Sequence, residues 1–135
     1  MLKALKKKFE LIVFTASQRD YAEPILNFLD PKEEIFDYRF YREMCLTASD
    51  GRYVKDLRIF GGRKLKDIVI VDNSAFSFGE QIENGVPIIP FIYDKRDKEF
   101  LKLQKYLELI LESYDVRTFN KEAFKLHKCH QYQNH

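Results

Sequence analysis

Apolar residues fall in short continuous runs separated by polar turns. Residues 9–14 are apolar apart from Glu10, and residues 67–71 hold the unbroken run Ile68-Val69-Ile70-Val71. Runs apolar at consecutive positions fit strands buried on both faces of a parallel sheet. Residues 35–41 alternate instead, with Phe36, Tyr38 and Phe40 on one face, and predict another strand. Residues 86–91 predict a fourth, which Pro87 and Pro90 assign to a sheet edge.

Helical spacing fills the intervals. Leu2, Leu5 and Phe9 predict a helix end over residues 1–8. Ser17 is placed to cap a helix with Tyr21, Ile25 and Phe28 on its inner face. Pro24 kinks that helix or marks its true start, and Asp30-Pro31 ends it. Phe100, Leu103, Leu107 and Ile110 predict a long amphipathic helix over residues 97–114. Ser49-Asp50-Gly51 is a turn that makes Tyr53-Val54 one arm of a small hairpin. Residues 56–60 read as a short helix or turn stopped by Gly61-Gly62, residues 74–78 as a loop or one helical turn, and Asn84-Gly85 as a turn. Asp115-Val116-Arg117 opens a closing segment, and residues 127–135 read as a loose polar tail.

Strands alternating with helices argue for an α/β fold with a mostly parallel sheet, in which ligands gather at the carboxyl ends of the strands. Thr15 and the pair Asp72-Asn73 stand at two such ends. Composition narrows the rest. A chain of 135 residues with 45% hydrophobic content supports one domain and one core. A net charge of +2 gives no electrostatic case for nucleic acid or a membrane surface. No apolar run approaches the roughly 20 residues of a membrane span. Cys45 and Cys129 make no disulfide framework and read as reduced thiols, which favours a nuclear or cytoplasmic setting. The early lysines suggest a mitochondrial presequence, but the Arg and Ser of one are missing. His127, Cys129, His130 and His135 do not have the spacing of a structural zinc site.

The polar residues at the strand ends suit phosphate and a divalent metal. A hydroxyl at Thr15 ahead of a helix start makes an anion-binding corner, although the same residue also serves as a helix cap. Lys55 offers a point charge for phosphate or, more plainly, a surface pair with Asp56. Arg42 offers a bidentate fork for a substrate phosphate or an ion pair with Glu43. Asp72, after four apolar residues, is placed for a hard cation such as Mg²⁺, with Asn73 as a further oxygen, while an aspartate capping the next turn is the ordinary alternative.

The stretches FELIVFTAS, RDYAEPILNFLDP, FYREMC, YVKDL, IVIVDNSAFSF and NGVPIIPF occur in that order. In this the chain resembles the FCP/SCP-type phosphatases of the RNA polymerase II C-terminal domain, in the haloacid dehalogenase superfamily. The resemblance implies a haloacid dehalogenase-like Rossmannoid α/β fold with a small β-hairpin insertion, over a domain at residues 1–120 followed by a polar tail at 121–135. It implies a magnesium-dependent protein serine/threonine phosphatase acting through a phospho-aspartate. By the same resemblance Thr15 binds the transferring phosphoryl group and Lys55 steadies the phospho-aspartate. Arg42 and Tyr21 lie on the substrate side, and Asp72 and Asn73 belong to the metal site. The domain also occurs in a mitochondrial import subunit, so the resemblance fixes no compartment.

The family's first motif, Asp-x-Asp-x-Thr/Val, occurs nowhere in the 135 residues. Its first aspartate is the nucleophile, without which an aspartyl phosphate cannot form. The expectation is therefore a domain truncated at its N-terminus, lacking the first central strand and inactive by itself. Three readings stay open: a piece of a longer phosphatase, a binding module for phosphoprotein or another partner without turnover, and a sheet completed by an oligomer or a partner strand.

Overall fold

The computed structural model describes residues 1–88 and 98–124. The chain divides into two compact units, Met1–Lys55 and Asp56–His135. Among the described residues the strands form three two-stranded sheets.

In the first unit, helix α1 (Leu2–Lys6) buries Leu5, and the N–H groups of Lys8 and Phe9 close its end onto the Leu5 carbonyl. That turn consumes the start of the predicted run, so strand β1 covers only Ile12–Phe14. It pairs in parallel with β2 (Tyr38–Phe40), Ile12 opposite Tyr38 and Phe14 opposite Phe40. The alternating stretch from residue 35 is likewise shorter as a strand than its pattern predicts. The buried carboxylate of Asp30 accepts the N–H groups of Glu34, Ile35 and Phe36, and Asp37 accepts the N–H of Leu11. Those backbone donors are committed to side chains before the ladder begins.

Helix α2 (Arg19–Leu29) joins the two strands, as a parallel pair requires. Ser17 does not cap it: the N-cap is Gln18, without a side-chain hydrogen bond. Its buried face is also not the predicted one. Ala22 and Leu26 pack with Tyr41, Val13 and Phe36, while Tyr21, Ile25 and Phe28 are 70%, 48% and 82% exposed. Apolar residues occupy more than half of this helix surface, and the narrower arc facing β1 and β2 takes the core positions. Beyond β2, β3 (Leu46–Thr47) and β4 (Tyr53–Val54) form the expected antiparallel hairpin, with Leu46 opposite Val54. Its loop turns at Gly51, whose φ of 87° favours glycine.

In the second unit, 3₁₀ turns at Leu57–Ile59 and Leu65–Asp67 precede β5 (Ile70–Asp72). The N–H of Ile68 closes the second turn on Leu65, so this strand also starts late. Residues Ala75–Asn84 extend the predicted single turn into a long 3₁₀ stretch, kinked at Phe78 and Gln81. Asn84-Gly85 is not a turn: Gly85 is already the first residue of β6 (Gly85–Pro87), parallel to β5. The remainder of the predicted fourth strand, at 89–91, lies outside the described residues.

Helix α3 (Glu99–Ile110) buries Leu103, Leu107 and Ile110, but Phe100 is half exposed and off that stripe. The predicted start at Asp97 lies outside the described residues. Where the sequence suggested only a closing segment, Val116–Phe124 forms helix α4, which packs on the 75–84 stretch and runs through residue 120. The tail with His127, Cys129, His130 and His135 lies outside the described residues. No helix among the described residues is long and apolar enough to cross a membrane.

Candidate functional site

Thr15 directly follows β1, and its N–H donates to the Phe40 carbonyl at 2.9 Å, one step past the strand pair. Its Oγ1 accepts the N–H of Ser17 at 3.0 Å. The hydroxyl thus has a fixed place in the turn and an O–H proton still to donate. The same turn receives Arg42, whose backbone N–H donates to the Ser17 carbonyl at 3.1 Å and whose Nε donates to the Ala16 carbonyl at 2.8 Å. The Arg42 guanidinium stacks 4.9 Å from the centroid of Tyr53 in β4. Three segments distant in sequence therefore meet at one corner: the turn after β1, the stretch after β2, and the hairpin.

The ordinary pairing of Arg42 with Glu43 gives way to a different one. Glu43 is paired with Arg19 at 3.2 Å, and the Arg19 guanidinium sits 4.6 Å over Tyr41. The Arg19 side chain and the Glu43 backbone N–H hold the Glu43 carboxyl below its ordinary range, the backbone N–H more strongly. Two residues that sequence reasoning did not single out belong to the Thr15 corner. Tyr53 supplies the ring under Arg42, and Cys45 places Sγ 3.9 Å from the Thr15 carbonyl. Neither has a sequence signal, because each contact spans many residues. Tyr21 stands exposed in the first turn of α2.

Lys55 is half buried and follows β4. Its neighbour Asp56 caps the 3₁₀ turn by accepting the Arg58 N–H at 2.9 Å. The Asp56 carboxylate also takes the Arg58 guanidinium, Nη2 to Oδ2 at 2.6 Å, and the Gln81 amide at 2.9 Å. The Arg58 guanidinium brings the Asp56 carboxyl down to about 2, against the opposing effect of burial.

Asp72 is the last residue of β5 and is 8% exposed. Its Oδ1 accepts the Ser74 N–H at 2.9 Å and its carbonyl accepts the Ile88 N–H at 3.1 Å. The turn-capping role open to it from sequence is therefore realised. Asn73 follows it, exposed in the bend. No three His, Cys, Asp or Glu side chains gather as a ligand set among the described residues. Mg²⁺ asks less of a protein than that: one or two carboxylates, with water and substrate phosphate in the other positions. A buried strand-end carboxylate beside an exposed amide oxygen is a donor set of that hard, all-oxygen kind.

Parallel strand pairs joined by helices, with polar side chains at the strand ends, define a hydrolase-type α/β domain. Solved structures agree on the fold. The chain superposes on "The Structure of Fcp1, an essential RNA polymerase II CTD phosphatase" with a TM-score of 0.56 at 18% identity, covering 90% of this chain and 35% of that one. A fission yeast Fcp1 structure gives 0.55 at 16% identity, covering 98% and 46%. The fold is thus haloacid dehalogenase-like, as in those proteins. The family described as "NLI interacting factor-like phosphatase" matches residues 1–117, and the chain belongs to it.

Curated relatives agree. "CTD small phosphatase-like protein 2" of Dictyostelium discoideum is 48% identical over 120 residues, covering 89% of this chain and 21% of that protein. "CTD small phosphatase-like protein 3" of Caenorhabditis elegans is 40% identical over 126 residues, covering 93% and 43%. "Phosphatase PSR1" of Saccharomyces cerevisiae is 37% identical over 107 residues, covering 79% and 24%. The chain spans less than half the length of each of these relatives.

Proposed function

We propose that residues 1–120 are a phosphoryl-recognising domain of the protein serine/threonine phosphatase type, and that this chain by itself binds phosphorylated protein without turning it over. The observation that carries the reading is the Arg42 Nε bond to the Ala16 carbonyl, which holds a guanidinium on the turn that also fixes the Thr15 hydroxyl. With Nε committed, Arg42 keeps its two Nη groups for a phosphate oxygen pair. The Thr15 O–H donates to a phosphoryl oxygen, and the Lys55 ammonium neutralises charge on the same group. Tyr21, exposed on α2, flanks the bound peptide. Asp72 and Asn73 would hold Mg²⁺, which when bound supplies further charge neutralisation to phosphoryl oxygens.

Turnover in this family type runs through an aspartyl phosphate, and the 135 residues contain no Asp-x-Asp pair to provide nucleophile and acid. The test is a phosphoserine peptide titrated into the 135-residue chain, followed by fluorescence anisotropy with and without Mg²⁺. Binding is expected to exceed that of the unphosphorylated peptide and to fall about tenfold in Arg42→Ala, the worth of one good charge-assisted contact. No phosphate release from an aryl phosphate is expected. Magnesium-dependent hydrolysis that disappears in Asp72→Asn would overturn the no-turnover reading. Equal affinity for both peptides would overturn the recognition reading.

A further inference from the structure

The residues immediately after Lys55 are held more firmly than a surface turn requires. Asp56 and Leu57 are buried, and Gln81 grips both from 24 and more positions away. Its Nε2 donates to Asp56 Oδ1 at 2.9 Å, and its Oε1 accepts the Leu57 N–H at 2.9 Å. One primary amide thereby uses a donor and its acceptor on consecutive residues. The Asp56 carboxylate is further fixed by the Arg58 N–H and by the Arg58 guanidinium.

Gln81 is itself set in place by a break in regular structure. It sits at φ −130°, ψ 61°, outside helical geometry, within the Ala75–Asn84 stretch. That kink turns the side chain away from the path of its neighbours. A buried carboxylate and a buried amide are each costly unless fully paired, and an apolar pair would fill such a turn without that cost. What the polar pair adds is direction: two hydrogen bonds through one planar amide define an orientation that van der Waals packing leaves looser.

Lys55 is joined to Asp56 by one peptide bond, so a fixed Asp56 backbone fixes the carbonyl side of Lys55. On its other side Lys55 follows Val54, which is paired to Leu46 across the hairpin. We infer that Gln81, acting through Asp56, is a positioning residue that aims the Lys55 ammonium at a bound phosphoryl group. This rests on the phosphoryl-binding reading of Lys55 given above. Lysine gains most from such support, because its four-carbon stem otherwise spreads the ammonium over many rotamers.

The experiment is a double-mutant cycle in the 135-residue chain, with Lys55→Ala and Gln81→Met, read as affinity for the phosphoserine peptide by anisotropy. Thermal unfolding of every variant is measured in parallel, and Asp56→Asn serves as a second, milder perturbation of the same pair. Expected are a loss of about tenfold in Lys55→Ala, a loss of about fivefold in Gln81→Met and in Asp56→Asn, and no further loss when Gln81→Met is added to Lys55→Ala. A merely structural role lowers the unfolding temperature of Gln81→Met and leaves the peptide affinity unchanged, or lowers it equally in both backgrounds. Either result overturns the positioning role while the phosphoryl site stands. If Lys55→Ala itself binds like the unmodified chain, both the positioning role and the phosphoryl reading of Lys55 fall.

Discussion

The ring of Phe78 fills the space that a side chain on Gly85 would need. A Cβ built on Gly85 would meet Phe78 Cε2 at 1.9 Å and Cδ2 at 2.1 Å, and Phe78 has no exposed surface. Gly85 sits at φ −91°, which any residue adopts, so space and not backbone conformation demands the glycine. This close approach lets β6 run beside the Ala75–Asn84 stretch and pair with β5, the strand that ends in Asp72.

Gly85→Ala is therefore expected to destabilise the fold by about 2 kcal/mol or more, the upper part of the range for overpacking a filled core. A fall in the urea midpoint at unchanged slope reads it. Phe78→Leu combined with Gly85→Ala should cost less than the sum of the two single changes, since the smaller side chain frees the contested space. Strict additivity would show that the two residues do not compete.

Asn84 secures the same stretch from the other end. Its Nδ2 donates to the Leu65 carbonyl at 2.6 Å and to the Ile68 carbonyl at 2.8 Å, and the residue is 1% exposed. Asn84→Ala leaves two carbonyls without that donor and is expected to cost about 1–3 kcal/mol. Asn84→Asp, nearly the same shape, should cost more, because it turns both donated bonds into oxygen facing oxygen. Chemical denaturation of the two variants side by side checks the order.

Acid should weaken the protein through its buried carboxylates. The Arg58 guanidinium holds the Asp56 carboxyl at about 2, below the ordinary 3.8, so the folded state favours the ionised form. That contribution is complete above pH 3.8 and is lost as pH falls toward 2. It amounts to no more than about 2 kcal/mol, reduced by salt because the Arg58 side chain is exposed. At Asp30, burial pushes the carboxyl up, but the Phe36, Glu34 and Ile35 N–H groups and Arg39 together outweigh it and leave it lowered. Asp56→Asn should flatten the fall in stability between pH 4 and pH 2, approximate bounds around the two values above, measured by denaturation at each pH.

Arg42→Lys should fail to replace arginine. A lysine keeps the charge but loses the planar contact with Tyr53 and the simultaneous use of Nε on Ala16 and the Nη pair on phosphate. Phosphoserine-peptide affinity is expected to drop nearly as far in Arg42→Lys as in Arg42→Ala. Full retention in the lysine variant would reduce the role of Arg42 to charge alone.

Much of this was legible along the chain because it depends on local pattern. Continuous apolar runs announced the strands around Val13 and Ile70, and the turn at Gly51 announced the hairpin. The ordered motifs from residue 9 to residue 91 announced the family. The lengths of the strands were not legible. Asp30 and Asp37 draw backbone donors away from the ladder, and a carboxylate that does this looks no different in sequence from one in a surface turn.

The inner face of α2 was not legible either. Tyr21, Ile25 and Phe28 have the stronger apolar spacing, yet the smaller Ala22 and Leu26 meet Tyr41. When apolar residues cover most of a helix, only its neighbours select the buried arc. The pairing of Arg42 with Tyr53 and the Ala16 carbonyl, of Glu43 with Arg19, and of Gln81 with Asp56 and Leu57 was decided by tertiary structure alone. Sequence by itself determined which chemical groups this protein carries at its strand ends. Folding decided which groups they meet, because those partners lie many residues apart and only a packed chain brings them within hydrogen-bond reach.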